Sequence, residues 1–141
     1  MSTPASTVRL TLPAKAEYLI LVRLALAGIA REVPISDSAL ADLKLAVTEV
    51  CGNAVRHAYR DTAGVVRVHF TVGAEAIDVA IEDDGPGLEL DDLPEGPILG
   101  EELLEEGMGL AISRSIVDEL VVDERGHGNG TVVRLKKTLS A

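Results

Sequence analysis

The order of apolar and polar residues along the chain predicts five short strands and three helices. Alternating apolar residues, which are typical of half-buried strands, occur at 7–13, 64–72, 76–83 and, as a closing hairpin, 120–137. Apolar residues at helical spacing occur at 14–33, about 37–60 and 110–120. A turn near Gly73 and Ala74 separates the second and third alternating segments, so these two also predict a hairpin.

Each predicted helix carries one apolar stripe that predicts its buried face. In the first helix the stripe is Leu19, Val22, Leu26 and Ile29. In the long second helix it is Leu40, Leu43, Val47, Val50 and Ala54. In the last helix it is Leu110, Ile112, Ile116 and Val117. Pro34 ends the first helix, and Ser36 or Asp37 provides the N-cap of the second.

Two hairpins and three helices predict an α/β (α+β) two-layer sandwich, in which three helices cover one face of a mostly antiparallel mixed sheet. A doubly wound nucleotide fold requires parallel crossovers, which the hairpins argue against. A chain of 141 residues is most simply one domain, spanning 1–141. The stretch that follows the third strand has little periodicity and is too long for an ordinary connection, so it predicts a functional loop.

Composition indicates what kind of core the protein has and in which compartment it occurs. Aromatic residues make up 2% of the chain, so the core has to be aliphatic. A single cysteine, Cys51, cannot form an intramolecular disulfide framework and fits a reducing compartment. No apolar stretch reaches the ~18 residues of a membrane span. We therefore expect a cytoplasmic protein that makes no membrane contact.

The net charge of −10 is unevenly distributed. Residues 68–113 contain thirteen acids and no Lys or Arg, so the rest of the chain is slightly basic. Direct nucleic-acid binding needs clustered Lys and Arg, which argues against it here. A basic protein partner fits this acidity, and so does a simple solvated face.

The first chemical signal lies on the predicted long helix. Glu49, Asn53 and His57 recur every four residues and therefore share one face. A carboxylate can orient or deprotonate a hydroxyl group. An amide oxygen suits Mg²⁺, which binds few protein groups and keeps several waters. The alternative is an ordinary polar helix face, and His57 has no assigned role beyond supporting it.

Three further segments carry weaker signals. Asp83 ends an apolar strand and is followed by Gly85 and Gly87, which allow a sharp turn and the approach of a flat ligand. Gly107 and Gly109 precede a helix, whose N-terminus is a natural site for phosphate oxygens. There is no G-x-x-x-x-G-K-[ST] motif. Thr131, in "GNGTVVRL", opens the last strand, where its hydroxyl can share ligand recognition with Asp83. The alternatives are an ordinary Asp-Gly turn for the first segment, a glycine-rich helix start for the second and a simple strand residue for Thr131.

In this order and on these elements, the four segments resemble the nucleotide-binding fold of the GHKL superfamily, which includes Hsp90, DNA gyrase, MutL and the sensor histidine kinases. The resemblance implies that Glu49 is the catalytic base, that Asn53 binds Mg²⁺, and that 88–106 is an ATP lid. It also implies a set of ATP-binding residues: Asn53, Asp83, Gly85, Gly87, Gly107, Met108, Gly109, Leu110 and Thr131.

The small size of the chain makes it similar to one branch of that superfamily, the anti-sigma-factor serine/threonine kinases of the RsbW and sporulation type. "TEVCGNAVRHAY" and "EEGMGLAI" carry the resemblance most specifically. It implies sequestration of an RNA polymerase sigma factor, ATP- and Mg²⁺-dependent phosphorylation of a serine on a STAS-type anti-anti-sigma protein, and a role in a bacterial stress response. It further implies a homodimer, with contact through the first strand and the helix that follows.

One departure concerns the implied lid. Some members carry a basic residue just before the glycine pair that precedes the helix, here Gly107 and Gly109, whereas Glu105 and Glu106 stand there in this chain. Any contact from the lid to a γ-phosphate then has to come from backbone N–H groups. Two alternatives therefore stay open: a nucleotide-binding interaction protein without kinase activity, and a detached sensor histidine kinase catalytic domain.

Overall fold

A computed structural model describes residues 6–58, 64–84, 108–124 and 130–140. For 57–58, 108–110 and 124 it describes the backbone alone. The implied lid at 88–106 and the glycines Gly85, Gly87 and Gly107 lie outside the described residues.

The strands form one open sheet. They are β1 (Ser6–Pro13), β2 (Val65–Val72), β3 (Ala76–Asp83), β4 (Glu119–Glu124) and β5 (Thr131–Thr138). Their order in the sheet is β1-β2-β3-β5-β4, and all four pairings are antiparallel. Both predicted hairpins, β2–β3 and β4–β5, are confirmed. The predicted parallel component of the sheet is not found among these strands, because the chain re-enters beside β3 in the antiparallel direction.

The helices are α1 (Leu19–Ala30), α2 (Asp37–Asn53) and α3 (Met108–Ile116), with a short 3₁₀ turn at Ala16–Tyr18 before α1. Helices α1 and α2 lie within the predicted stretches, whereas α3 begins two residues earlier and ends four residues earlier than predicted. Ser36 is the N-cap of α2, since its hydroxyl accepts a hydrogen bond from Ala39 N at 3.0 Å. The predicted long helix ends early as an α-helix, and the chain continues as a π-helical turn over Ala54–Ala58.

The core lies between the helices and one face of the sheet, which confirms the two-layer architecture. Val22 and Leu26 of α1 and Leu43, Val47 and Val50 of α2 are buried, as their stripes predict. Leu40 is an exception, since it is only half-buried and lies outside the core cluster, while Ala39 is buried. The sheet contributes the alternate residues of its central strands, among them Phe70, Ile77, Ile81 and Leu135. No helix within the described ranges is long and apolar enough to cross a membrane.

The predicted inner face of α3 is partly wrong. The structure buries Ala111 and Ser113, while Ile112 is only half-buried and lies outside the core cluster. Ile116 does pack against that cluster. The physical reason is close packing: small residues let α3 approach α2, and the Ser113 hydroxyl donates a hydrogen bond to Ala46 O at 3.2 Å.

Candidate functional site

Helix α2 runs antiparallel to β5 across the inner face of the sheet. Its start is fixed to the end of β5, since Ser36 N donates to Leu139 O at 2.8 Å. The 17 residues of α2 span about 26 Å, and the eight residues of β5 span a similar length, roughly 26 Å. The C-terminal end of α2, with Glu49 and Asn53, therefore lies at the end of the sandwich where β5 begins.

Helix α3 runs antiparallel to α2. Its last residue, Ile116, lies beside Asp42, because the ammonium of Lys137 contacts both. One turn earlier, Ser113 contacts Ala46. Continuing these two contacts backward along α3 brings its N-terminus, at Met108, to the level of Glu49 and the residues after it. The start of α3 and the polar end of α2 thus lie at the same end of the molecule.

The adenine-side residues of the implied site are cross-strand neighbours. Asp83, at the end of β3, pairs in register with Thr131, at the start of β5. Both are buried, with 7% and 3% of their surface exposed. Directly opposite residues of an antiparallel pair have their Cβ atoms about 4.5–5.5 Å apart. One small ligand group can therefore contact the Asp83 carboxylate and the Thr131 hydroxyl together.

Gly130 belongs to this site, although the sequence analysis did not single it out. Its φ is +124°, and a Cβ added there would lie 2.3 Å from the backbone oxygen of Asp83. Only glycine combines this backbone conformation with such a close approach. The signal in the sequence was the glycine directly before the last strand, within "GNGTVVRL".

Two buried polar atoms at this end have no hydrogen-bond partner among the residues that the structure describes. They are Asn53 Oδ1 and Thr131 Oγ1. Leaving such a group unsatisfied costs about 1–3 kcal/mol, so each is a candidate ligand contact. Asn53 Oδ1 is an uncharged oxygen donor, which fits a Mg²⁺ that keeps most of its water. Thr131 Oγ1 fits a hydrogen bond to an adenine ring.

Glu49 is half-buried on α2, one turn before Asn53. The π-helical turn begins directly after Asn53, at Ala54, and such turns are frequent at functional sites. The four-residue spacing to His57 therefore crosses a change of helix type, and the side chain of His57 lies outside the described residues. The expected supporting role of His57 stays a prediction.

Cys51 takes no part in this chemistry. It is fully buried in the core, and burial raises the pKa of its thiol to about 12. The thiol therefore stays protonated at neutral pH and is a poor nucleophile. Its predicted role as a small buried hydrophobe is confirmed.

The structure thus places four of the predicted site residues, Glu49, Asn53, Asp83 and Thr131, at the same end of the sandwich as the first turn of α3. That turn contains Met108, Gly109 and Leu110, whose backbone is helical. The predicted contacts of Gly85, Gly87 and Gly107 fall outside the described residues. The roles of all these residues stay predictions, which their placement supports.

An open antiparallel sheet, helices on one face, and a polar end formed by two helix termini and two strand termini define the class of two-layer α/β sandwiches. The family of histidine kinase-like ATPase domains matches residues 12–137 of this sequence. The chain belongs to that family.

Curated relatives place it more narrowly. The serine-protein kinase RsbW of Bacillus velezensis is 34% identical over an alignment of 147 positions, which covers 99% of this chain and 90% of that protein. RsbW of Bacillus subtilis strain 168 is 33% identical, covering 96% of this chain and 88% of that protein. The predicted GHKL membership and the predicted class of protein-serine kinase are confirmed by these relatives.

A solved structure of the RsbU and RsbW domains of a Mycobacterium tuberculosis protein superposes with a TM-score of 0.69 at 24% identity. The match covers 96% of this chain and 32% of that one. At this identity the similarity supports the fold, which agrees with the two-layer architecture described above.

Proposed function

We propose that the protein is an ATP-dependent anti-sigma factor, which sequesters an RNA polymerase sigma factor and phosphorylates a serine on a STAS-type anti-anti-sigma protein. The observation that carries the nucleotide part is the pair of buried, unpartnered oxygens, Asn53 Oδ1 and Thr131 Oγ1, at one end of the fold. The similarity to serine-protein kinases of the RsbW type supports the kinase part.

In this proposal, different residues of the chain bind different parts of the nucleotide. Asp83 accepts a hydrogen bond from the exocyclic amine of adenine, and Thr131 contacts the ring beside it. The first N–H groups of α3 face the phosphate oxygens, since helix N-termini leave such donors unpaired. Asn53 Oδ1 holds Mg²⁺, which when bound neutralises charge on the phosphates.

Glu49 acts on the serine of the protein substrate. From its place one turn before Asn53, its carboxylate accepts the proton of the serine hydroxyl or holds that hydroxyl in line with the phosphate. Positioning and electrostatics usually dominate phosphoryl transfer. We therefore assign Glu49 mainly to orientation.

We also propose a homodimer, in which β1 and α1 form the contact. β1 is an edge strand that pairs only with β2 in the described sheet. α1 exposes large apolar side chains, with 57% of Ile20, 42% of Leu21 and 59% of Leu24 accessible. An unpaired edge beside an apolar helix face is typical of an interaction surface.

Incubation of the protein with γ-labelled ATP and a candidate anti-anti-sigma protein tests the kinase. We expect label on the partner as acid-stable phosphoserine. The test variant is Glu49→Gln, which keeps the shape of the side chain and removes the base. We expect it to retain ATP binding and to lose roughly 100-fold in single-turnover rate, the lower end of general-base effects. A Glu49→Gln variant as fast as the wild type would remove Glu49 from the mechanism.

The same assay separates the two alternatives. ATP binding without any transfer favours an interaction protein that uses nucleotide only to set its shape. Acid-labile phosphohistidine on a helical partner favours a detached sensor-kinase domain. Sigma binding is tested independently, by co-purification of the protein with candidate sigma factors at low and high salt.

A further inference from the structure

A lysine is buried at the end of the sandwich opposite to the candidate site. Lys137 points from β5 into the space between α2 and α3, with 6% of its surface exposed. Lysine is almost never buried unless its ammonium group is paired. Here the ammonium donates to Ile116 O at 2.7 Å and to the Asp42 carboxylate at 3.3 Å.

These two contacts join three elements at one point. Ile116 is the last residue of α3, and its carbonyl is one of those that a helix end leaves without an intrahelical partner. A cation at a helix C-terminus also opposes the negative end of the helix dipole. Asp42 lies in the second turn of α2. Lys137 therefore fixes the end of α3 simultaneously to β5 and to α2.

Two polar contacts define the antiparallel register of α3 on α2, the one made by Lys137 and a second made by Ser113. Ser113 contacts Ala46 one turn further along, and the neighbouring small residue of α3, Ala111, is also buried. The polar contacts of Lys137 and Ser113 are directional, so they distinguish the observed register from one shifted by a helical turn.

A shift of one turn would move α3 by about 5.4 Å along its axis. The N-terminus of α3 would then no longer lie at the level of Glu49 and Asn53. We propose that Lys137 is a positioning residue, which sets the register of α3 on α2 and thereby places the phosphate-binding end of α3 beside Asn53. This inference rests on the proposed nucleotide site, and it adds a residue that touches neither nucleotide nor metal.

The proposal predicts that Lys137 matters for the phosphates and not for the adenosine. Asp83 and Thr131 pair with each other in the ladder between β3 and β5, to which α3 contributes no residue. In Lys137→Met, which keeps the long side chain and removes the ammonium, we expect Mg·ATP to bind about tenfold more weakly, the size of effect that one charge-assisted hydrogen bond carries. Adenosine should bind as it does to the wild type.

The measurement is calorimetric titration with Mg·ATP and NMR titration with adenosine, below the thermal midpoint of every variant. Lys136→Met is the matched control, since Lys136 is the neighbouring cation but is exposed on the other face of β5. It should leave both affinities unchanged. Ser113→Ala breaks the second register contact and should lower the affinity for Mg·ATP in the same selective way, so it decides the matter if Lys137→Met does not fold.

Each other outcome overturns the proposal. Equal losses for Mg·ATP and adenosine would make Lys137 a stabilising residue only. An equal loss in Lys136→Met would make the effect one of net charge. Unchanged Mg·ATP binding in folded Lys137→Met would remove Lys137 from the site while leaving the proposed function intact. Failure of the wild type to bind Mg·ATP would overturn the proposed function, and this inference with it.

Discussion

Helices α1 and α2 lie next to each other, yet the more apolar of the two is the less buried. α1 has one charged residue, Arg23, among 12. Only two of its side chains, Val22 and Leu26, are buried. α2 carries four charged residues among 17 and buries eight positions, the polar Asn53 among them. Apolar content alone therefore does not decide which helix is central to the fold.

The two helices are also attached in different ways. α2 is fixed by polar contacts along its length, from the Ser36 cap through Asp42 to Ala46, and it ends at the candidate site. Among the residues that the structure describes, no α1 side chain forms a hydrogen bond or an ion pair, and α1 is attached through apolar packing. The comparison indicates that α2 is a fixed helix that carries candidate-site residues, whereas α1 is an outer helix whose apolar face is accessible.

The largest expected effect tests burial with the same substitution on both helices. Leu43 of α2 is fully buried, and Leu24 of α1 is 59% exposed. Leu43→Ala should lower the free energy of unfolding by about 2–5 kcal/mol, through lost transfer energy and a new cavity. Leu24→Ala should change the free energy of unfolding of the monomer by less than about 0.5 kcal/mol.

Urea denaturation measures both values, at protein concentrations low enough that the midpoint no longer depends on concentration. Losses of equal size would mean that the outer face of α1 is covered in the folded monomer, and the contrast between the helices would disappear.

The second prediction compares two buried oxygens of α2. Asn53 Oδ1 and Thr48 Oγ1 both lack a hydrogen-bond partner within the described part of the chain. Asn53 lies at the candidate site, whereas Thr48 lines a groove with Arg23 and Lys44, on the α1 side. Substituting residues that only hydrogen-bond to a metal's ligands already costs ~10–100-fold in metal affinity. We therefore expect Asn53→Ala to weaken Mg·ATP binding about 100-fold or more.

Calorimetry with Mg·ATP checks this, with Thr48→Val as the control because it removes the other unpartnered oxygen at nearly constant shape. The control should bind as the wild type does. Wild-type affinity in Asn53→Ala would mean that Asn53 does not hold the metal. A comparable loss in Thr48→Val would point to a general effect on the helix.

The contrast between the helices also shows how far the sequence alone could lead. Most of the buried stripes of α1 and α2 was predictable, because large aliphatic residues at helical spacing favour burial of one helix face. The stripe of α3 was not, since its contact with α2 depends on small residues and one hydroxyl, Ser113. Periodicity gives weight to large apolar side chains and none to a serine that donates a hydrogen bond between helices.

The same holds at the candidate site. Asp83 and Thr131 were predictable as separate residues from the family pattern, but their pairing depends on the strand order, in which β5 inserts between β3 and β4. Gly130 and Lys137 were missed because their roles depend on a positive φ and on a buried ammonium. Both properties arise only when elements distant in sequence come together.

The third prediction concerns the apolar face of α1. Leu24→Glu places a charge in the proposed dimer contact. Truncating a central interface residue often costs 2 kcal/mol or more, so the dissociation constant of the dimer should rise by at least about 30-fold. Val121→Glu is the matched control, since Val121 is an exposed apolar residue on β4, at the opposite edge of the sheet.

Sedimentation velocity over a range of concentrations measures this constant, and circular dichroism confirms that both variants are folded. A wild type that stays monomeric at high concentration would contradict the homodimer. Dissociation by Val121→Glu, with no effect of Leu24→Glu, would move the interface to the opposite edge of the sheet.

The smallest expected effect is a pH dependence on the α3 side, far from α1. The Asp118 carboxylate accepts a hydrogen bond from Thr138 N at 2.6 Å and so ties the turn after α3 to β5. That hydrogen bond lowers the pKa of Asp118, with a smaller contribution from nearby Lys137 and Lys136. Because the pKa is lower in the folded state, the stabilisation is complete above the unfolded value, near ~3.9, and is lost as the pH falls through the folded value.

Asp118→Asn removes the titrating group and nearly keeps its shape, so the difference in unfolding free energy between wild type and variant isolates Asp118. The difference should be small, because the carboxylate is exposed and screened by solvent. It should stay constant from neutral pH down to about pH 5 and shrink below pH 4. A difference that grows on acidification would mean that the carboxyl group is stabilised in its protonated form, and the hydrogen bond to Thr138 would then not fix the end of α3.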